Sequence, residues 1–411
     1  MAGRIILLEP SLTGAEGHFA VTAERLRRLL APTPLLVVPG PQTATGPWRR
    51  ANTPPRFTHS RTTIARKRHY GPIVERLIRH GEGYIPEALR PPAAPPAPGA
   101  TARIAHGDAA TMRSLMLADI VRILKAVAAD AGDLLLLPSA DAEMILAIAE
   151  VHKRAAAGPQ IALRLMYDDV GSHVSAPTWR SALAVLLAAD GARQRLCLFA
   201  ETLGFAAAIA EAFAIEVTLL PHPSPLTAVP MPPIEGEFVV FVPGKLRADK
   251  GASLINAIGQ HLSDALRGSA LPAVTLRAQA VAAATGDKLR CQPLPAFLPA
   301  AEYARQWHSC HAALLLNDPA TFQLRGSGTV CDAVAAQRPF LALNGSTLSE
   351  WIIADNGVVA APDAHSISDG IVSLIGNYHR HRQGTAAAAQ RLAADLATAI
   401  DRLRGLLPRH H

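Results

Sequence analysis

In residues 238–251, FVVFVPGKLRADKG, an apolar run ends in a proline-glycine turn that carries two lysines. Phe238 to Val242 reads as a buried parallel strand, closed by Pro243 and Gly244. Lys245 and Lys250 lie on the turn that follows, just before a helical stretch over 252–262. Ammonium groups at the carboxyl end of a parallel strand, beside a helix N-terminus, suit a bound diphosphate.

A second segment answers the first. Residues 325–339 read RGSGTVCDAVAAQRP and lead into the apolar strand 340–343. Gly326, Ser327 and Gly328 let a backbone approach a ligand closely and then open a helix, whose free N–H groups face an anion. Asp332 lies about one turn further in and is placed to accept hydrogen bonds from vicinal hydroxyls of a ribose or sugar. A glycine-rich helix start with a solvated aspartate is the competing reading.

In order and spacing the two segments resemble glycosyltransferase family 4, the glycosyl transferases group 1. The family's G-R-L-x-x-x-K-G is matched by Gly244, Lys245, Leu246, Lys250 and Gly251. Its E-A-M-A-x-G-x-P is matched by Asp332, Ala333, Val334, Ala335 and Pro339. A G-G-x-x-E turn and an N-G segment are matched by Gly345, Glu350, Asn356 and Gly357, and Ala361-Pro362-Asp363 leads into a closing helix over 366–375. The likeness covers residues 237–376. It implies an α/β protein of GT-B fold, two Rossmann-like doubly wound domains facing a central cleft.

The resemblance implies a glycosyltransferase of hexosyltransferase type that moves a sugar from a nucleotide diphosphate sugar to an acceptor hydroxyl. Retention of configuration, no bound metal and no cofactor beyond the donor come with it, as does a place in polysaccharide or glycolipid synthesis. Lys245 and Lys250 would stabilise the leaving diphosphate, with Arg325 chelating phosphate oxygens. The chain departs from the family pattern in several places: Lys245 replaces its arginine, and Asp332 stands where it has the second of its paired glutamates. Leu324 stands where the family has the first of its paired glutamates, the one that contacts the donor sugar, and Gln337 replaces a glycine. Two other functions therefore stay open. One is a sugar-nucleotide epimerase of the same fold, and the other is a non-catalytic binding protein.

The N-terminal half alternates strand and helix in the manner of a doubly wound sheet. Strands are predicted over 4–8, 35–38, 133–137, 160–166, 195–199 and 216–220, with helices over 18–30, 110–128 and 202–213. The expected domains are residues 1–225 for the acceptor and 234–384 for the nucleotide sugar, joined by a proline-rich linker at 226–233. A long amphipathic helix at 385–411 then follows, and its packing back on the first domain is open.

The first strand is followed by Thr13-Gly14-Ala15-Glu16-Gly17-His18. The resemblance places Gly14 and Gly17 near the donor phosphates, with Glu16 and His18 on the acceptor side; a simple tight turn is the alternative. It also points to Asp168 and His173, in the region where family members carry a His-Asp pair, as groups that orient an acceptor hydroxyl. Helix capping explains Asp168 and Asp169 equally well. His106 is a further candidate, as is a metal site at His308, Cys310 and His311, although no fourth ligand stands at a diagnostic spacing.

Charge is uneven in a chain of net charge +7. Arg49, Arg50, Arg56, Arg61, Arg66, Lys67, Arg68, Arg76 and Arg79 crowd into an insertion at about 45–100, with Trp48, Phe57 and Tyr70 interleaved. A solvated loop, a surface for anionic lipid headgroups and a nucleic-acid patch all fit. Read with the resemblance, Arg66 and Arg68 fall on the acceptor side. The expected partners are a saccharide or lipid-linked acceptor and an anionic membrane surface, with no nucleic acid.

With 49% hydrophobic and 18% charged residues the composition is that of a globular protein, and 411 residues can bury large cores. The four cysteines show neither metal nor disulfide spacing, so buried thiols in a reducing cytoplasm are expected. No targeting segment is visible, and the apolar region 196–220 is broken by Glu201, Glu211 and Glu216. The chain is expected in the cytoplasm, peripheral on the inner face of the membrane where its acceptor is lipid-linked.

Overall fold

A computed structural model describes residues 3–12, 18–40, 56–58, 109–154, 158–167, 179–189, 191–279, 287–295 and 298–408. These form two compact units. The first comprises residues 1–200, 206–218 and 399–411, and the second comprises 201–205 and 219–398.

The first unit is built on strands β1 (Ile5–Glu9), β2 (Leu35–Pro39), β3 (Leu134–Ala140), β4 (Gln160–Leu165), β5 (Leu196–Ala200) and β6 (Val217–Leu219). They form one sheet in the order β2-β1-β3-β4-β5-β6. β1 pairs in parallel with both β2 and β3, and β3–β4 and β4–β5 are also parallel. Each residue of β1 is buried, as a strand covered on both faces requires. Helices α1 (His18–Leu30), α2 (Ala109–Ala126), α3 (Ala142–Arg154), α4 (Trp179–Leu187) and α5 (Leu203–Phe213) make the connections.

Local chemistry sets the ends of these elements. The Asp141 side chain accepts the Met144 N–H at 2.9 Å and so caps α3, whose last turn carries His152, Lys153 and Arg154 against the negative helix end. Arg4, just before β1, pairs with Asp133 at 3.2 Å, just before β3. The last residues of the chain also belong to this unit. There Arg402 donates to both oxygens of Glu216, at 2.6 and 2.9 Å, and Arg404 donates to the Leu29 and Ala31 carbonyls.

The second unit repeats the plan with β7 (Glu237–Phe241), β8 (Ala273–Gln279), β9 (Leu289–Leu294), β10 (Ala312–Leu315), β11 (Phe340–Leu343) and β12 (Gly357–Ala360). The order is β12-β11-β10-β7-β8-β9, with every neighbouring pair parallel. Alternation along the strands sends side chains to two separate cores. Phe238, Val240, Leu276, Leu314 and Leu341 meet α6 (Ile255–Leu266) and, further along the chain, α9 (Ala364–Gly376). Val239, Phe241, Leu315, Phe340 and Ala342 face the other side, with Trp307 of α7 (Ala300–Ser309) and Val330 and Val334 of α8 (Gly328–Ala335). The long helix α10 (Tyr378–Gly405) begins in this unit. The proline-rich stretch 221–233 lies wholly within it as well.

α8 ends in a Schellman turn. Gln337 N–H donates to Val334 O at 3.0 Å and Arg338 N–H to Ala333 O at 2.9 Å, with Gln337 at φ +52°. This is the left-handed position that glycine fills in the resembled family, so the substitution keeps the turn at a conformational cost. Gln337→Gly is expected to raise unfolding stability by about 0.5–1 kcal/mol, the left-handed penalty less the added chain entropy. Chemical denaturation of the two proteins checks this; a loss of stability would show that the Gln337 side chain contributes more than its backbone costs.

Candidate functional site

Strand order reverses on either side of β7, which places the crevice of the second sheet at the carboxyl ends of β7 and β10. Both ends are tied together. Asp318 N–H, after β10, donates to Asp249 O at 3.0 Å, and Gly251 packs so closely that a Cβ there would lie 2.5 Å from Leu316 Cβ. Gly244 and Gly251 have φ of +85° and +73°, so the turn between them needs both glycines.

The two sequence segments meet here. A Cβ built on Gly244 would lie 3.9 Å from Lys250 Nζ and 3.9 Å from Thr329 Cγ2, in the first turn of α8. Lys250 is half-buried while Lys245 is exposed. Burial, then the Arg247 guanidinium and in smaller part that of Arg325, bring the Lys250 pKa down to about 8. Asp249 acts in the opposite sense, but its carboxylate is also shared with Arg247 at 2.8 Å. Lys250 thus lies beside the N-terminus of α8, where Ser327 Oγ and Thr329 Oγ1 lie 2.8 Å apart. Arg325 stacks over Phe322, its guanidinium carbon 5.4 Å from the ring centroid, and its carbonyl accepts from Thr347.

The glycines at 326 and 328 are required by neighbours distant in sequence. A Cβ on Gly326 would lie 2.8 Å from Glu201 Cβ and 2.9 Å from Glu201 Oε2; one on Gly328 would lie 3.0 Å from the His222 ring. Neither Glu201 nor His222 carries a sequence signal for this position.

Asp332 has partners other than those expected of it. Ser224 Oγ donates to Oδ1 at 2.6 Å and Tyr303 Oη to Oδ2 at 2.8 Å, and the carboxyl is buried. Burial raises its pKa to about 6, against the lowering effect of the two hydroxyls. Both oxygens are therefore occupied by the chain itself, anchoring α8 to the connector and to α7.

Among the other expected site residues, His18 is the first residue of α1. Gly14, Glu16, Gly17, Arg66, Arg68, His106, Asp168 and His173 lie outside the described residues. His311 Nδ1 accepts from Val239 N–H at 2.8 Å and Nε2 faces Pro233 O at 3.2 Å, a structural role that fixes the tautomer. Among the described residues no group of three or more His, Cys, Asp or Glu is placed to hold a metal ion. All four cysteines are free and buried. No described helix is long and apolar enough to cross a membrane.

The first sheet also reverses strand order, between β1 and β3. There Glu9 closes β1 with only 1% of its surface exposed. Ser11 N–H donates to Oε1 at 3.0 Å, while Oε2 has no partner of good hydrogen-bonding geometry. Burial pushes its pKa up to about 7; Ser139 and Ser11 oppose the rise, Asp141 adds to it and Arg164 opposes it. The signal in the sequence is one acidic residue closing a strand that is otherwise aliphatic.

With this geometry in place, the chain compares with known proteins by structure alone. No family model matches it, and no curated protein does. It is similar to an α,α-trehalose-phosphate synthase (UDP-forming) from Burkholderia vietnamiensis at TM-score 0.59 and 12% identity, covering 98% of this chain and 100% of that chain. A glycosyltransferase from Rickettsia africae gives TM-score 0.56 and 10% identity, covering 99% and 100%. Anabaena HepE, solved in complex with UDP, gives 0.54 and 12%, covering 98% of each chain. The fold is GT-B. At these identities the likeness speaks to architecture, and residue roles rest on the geometry above.

Two outcomes test the buried carboxyls. Asp332→Ala leaves the Ser224 and Tyr303 hydroxyls without their acceptor and is expected to destabilise by about 2 kcal/mol or more, with Asp332→Asn recovering part of it. Thermal melts of the two variants decide between this anchoring role and an exposed, ligand-facing one. For Glu9, the folded chain holds the proton more tightly than the unfolded chain. Its stabilising contribution is full below about pH 4.5 and is lost as pH rises through about 7, a change of about 3 kcal/mol. Denaturation curves of wild type and Glu9→Gln across this range should converge at the acid end and separate in favour of the variant at the neutral end.

Proposed function

We propose that this protein is a glycosyltransferase that takes its sugar from a nucleotide diphosphate sugar and passes it to an acceptor hydroxyl. The observation that carries the reading is the gathering of the Gly244 turn, Lys250 Nζ and the first turn of α8 around one point at the switch of the second sheet. A leaving diphosphate develops negative charge as its bond to the sugar breaks. Lys250, Arg325 and the free N–H groups at the start of α8 would stabilise it there, with exposed Lys245 at the rim. These cations supply charge that a metal ion supplies elsewhere, which favours a transfer that needs no metal. The similarity of fold to UDP-forming and UDP-bound glycosyltransferases supports the same reading.

Placement in glycosyltransferase family 4, transfer with retention, and an acceptor that is a saccharide or a lipid-linked saccharide belong to this proposal. So does a cytoplasmic location with peripheral contact at an anionic membrane. The acceptor would meet the first unit, near the carboxyl edge of its sheet. Gln337 and Leu324 depart from the family pattern without disturbing the anion site: one occupies a turn beyond α8, and the other packs beside residues 202–204.

The pH dependence of donor binding tests the site. An ordinary lysine stays charged to about pH 10, whereas Lys250 loses its proton near 8 in the empty protein. Affinity for nucleoside diphosphates is therefore expected to hold up to about pH 7.5 and to fall about tenfold by pH 9. Lys250→Arg should flatten this profile and Lys250→Ala should lower affinity at every pH. Titration calorimetry with UDP, GDP and ADP provides the readout; a profile unchanged in Lys250→Ala would remove Lys250 from the site.

A further inference from the structure

A buried amide at the crevice of the second sheet is left without a partner. Asn317 follows β10 at its carboxyl end and is 3% exposed, and among the described residues its Nδ2 has no hydrogen-bond acceptor. The residues on either side of it are fastened to the lysine turn. Leu316 packs against Gly251, where no side chain would fit, and Asp318 N–H donates to Asp249 O at 3.0 Å. Alternation sets the direction of Asn317. Leu314 and Leu316 belong to the core under α6 and α9, whereas Ala313 and Leu315 belong to the one under α7 and α8. Asn317 continues the second row, on the α8 side of the sheet. Beyond it the chain turns through residues 319–322 to Arg325, whose guanidinium rests over Phe322. Asn317 thus stands on the short link between the turn of Lys250 and Arg325.

A buried amide N–H without an acceptor costs stability, because it has lost water and gained nothing in return. The neighbouring Asp318 shows the usual solution. Its carboxylate accepts from Thr321 N–H at 3.2 Å and Thr321 Oγ1 at 2.8 Å, and so caps the turn that follows. Asn317 makes no such contact, although its donor lies between two segments that each bring a cation. A neutral amide suits such a place: a further cation would add to the repulsion there, while an N–H still donates to an oxyanion. We propose that Asn317 binds the diphosphate of the donor, with Nδ2 donating to one of its oxygens beside Lys250. This rests on the proposed function and adds to it a residue whose contribution does not change with pH, in contrast to that of Lys250.

The test compares wild type with Asn317→Leu, which keeps a similar shape without polar atoms, and with Asn317→Ala, which decides where Leu is too large for the space. Dissociation constants for inorganic pyrophosphate, UDP, GDP and ADP are measured at about pH 7 and about pH 9, and melting temperatures are taken without ligand. Removing an unpaired buried amide should leave the empty protein at least as stable, with the better-fitting variant melting about 2 °C or more above wild type. Both variants should bind pyrophosphate and the preferred nucleoside diphosphate about tenfold more weakly, by the same factor for the two ligands and at both pH values. An Asn317 that only holds the fold together would melt lower in both variants. That result, or pyrophosphate binding as tight as in wild type, overturns the inference alone. If wild type binds no pyrophosphate, the reading of the anion site itself falls and this inference falls with it.

Discussion

A buried guanidinium holds the second unit in register. Arg338 has no exposed surface, and it donates to the Trp307, His308, Ala336 and Val229 carbonyls at 2.9 to 3.2 Å. Three of these carbonyls lie at the C-terminal ends of α7 and α8, where unpaired carbonyls and the helix dipole both favour a cation. The fourth belongs to the proline-rich connector. A single side chain thus fixes where two helices end and where the connector passes. Burial lowers its pKa, yet an arginine so placed still carries its charge, and its removal would leave four carbonyls short of a donor.

Asp332 does for the interior of α8 what Arg338 does beyond its end. Between them they tie the helix to Ser224 and Val229 of the connector and to Tyr303, Trp307 and His308 at α7. The N-terminus of α8 consequently cannot drift relative to β7. That rigidity is what lets Thr329 and Lys250 flank the same point beside Gly244. The position of this helix end thus depends on buried polar contacts made further along the helix and beyond its C-terminus.

Much of this could be read from the sequence, and the failures have physical reasons. The apolar runs 5–8, 238–241 and 340–343 announced parallel strands because burial on both faces leaves no room for alternation. β8 and β9 were harder to see, since Arg277, Arg290 and Gln292 interrupt them. β9 is an edge strand, and Arg277 is satisfied across the pair by Gln292 and beyond it by Ser309. Lys250 was legible from its spacing to Gly244, because both lie on one turn. Asp332 was legible as a position and misread as a surface: its partners Ser224 and Tyr303 are far away in sequence, and nothing local says which way the carboxyl points. Glu201 and His222 were invisible for the same reason. What did mark them was the pair of glycines they require, Gly326 and Gly328, read at first as freedom for a ligand to approach.

That reading of the glycines changes the electrostatic account of the site. A loop that is bare on both sides would leave Lys250 and Arg325 repelling one another with only solvent to mediate. Here burial above all, then Arg247 and least of all Arg325, lower the Lys250 pKa, while Asp249 acts in the opposite sense and is also paired to Arg247. Like charges held together in a folded protein raise its energy unless an anion relieves them. Under the proposed function, a diphosphate bound there would neutralise Lys250 and Arg325 together and restore the lysine's proton at pH values where the empty site has begun to lose it. Binding would thus draw part of its free energy from strain already present in the fold, and the site would favour a doubly charged ligand over a singly charged one of the same size.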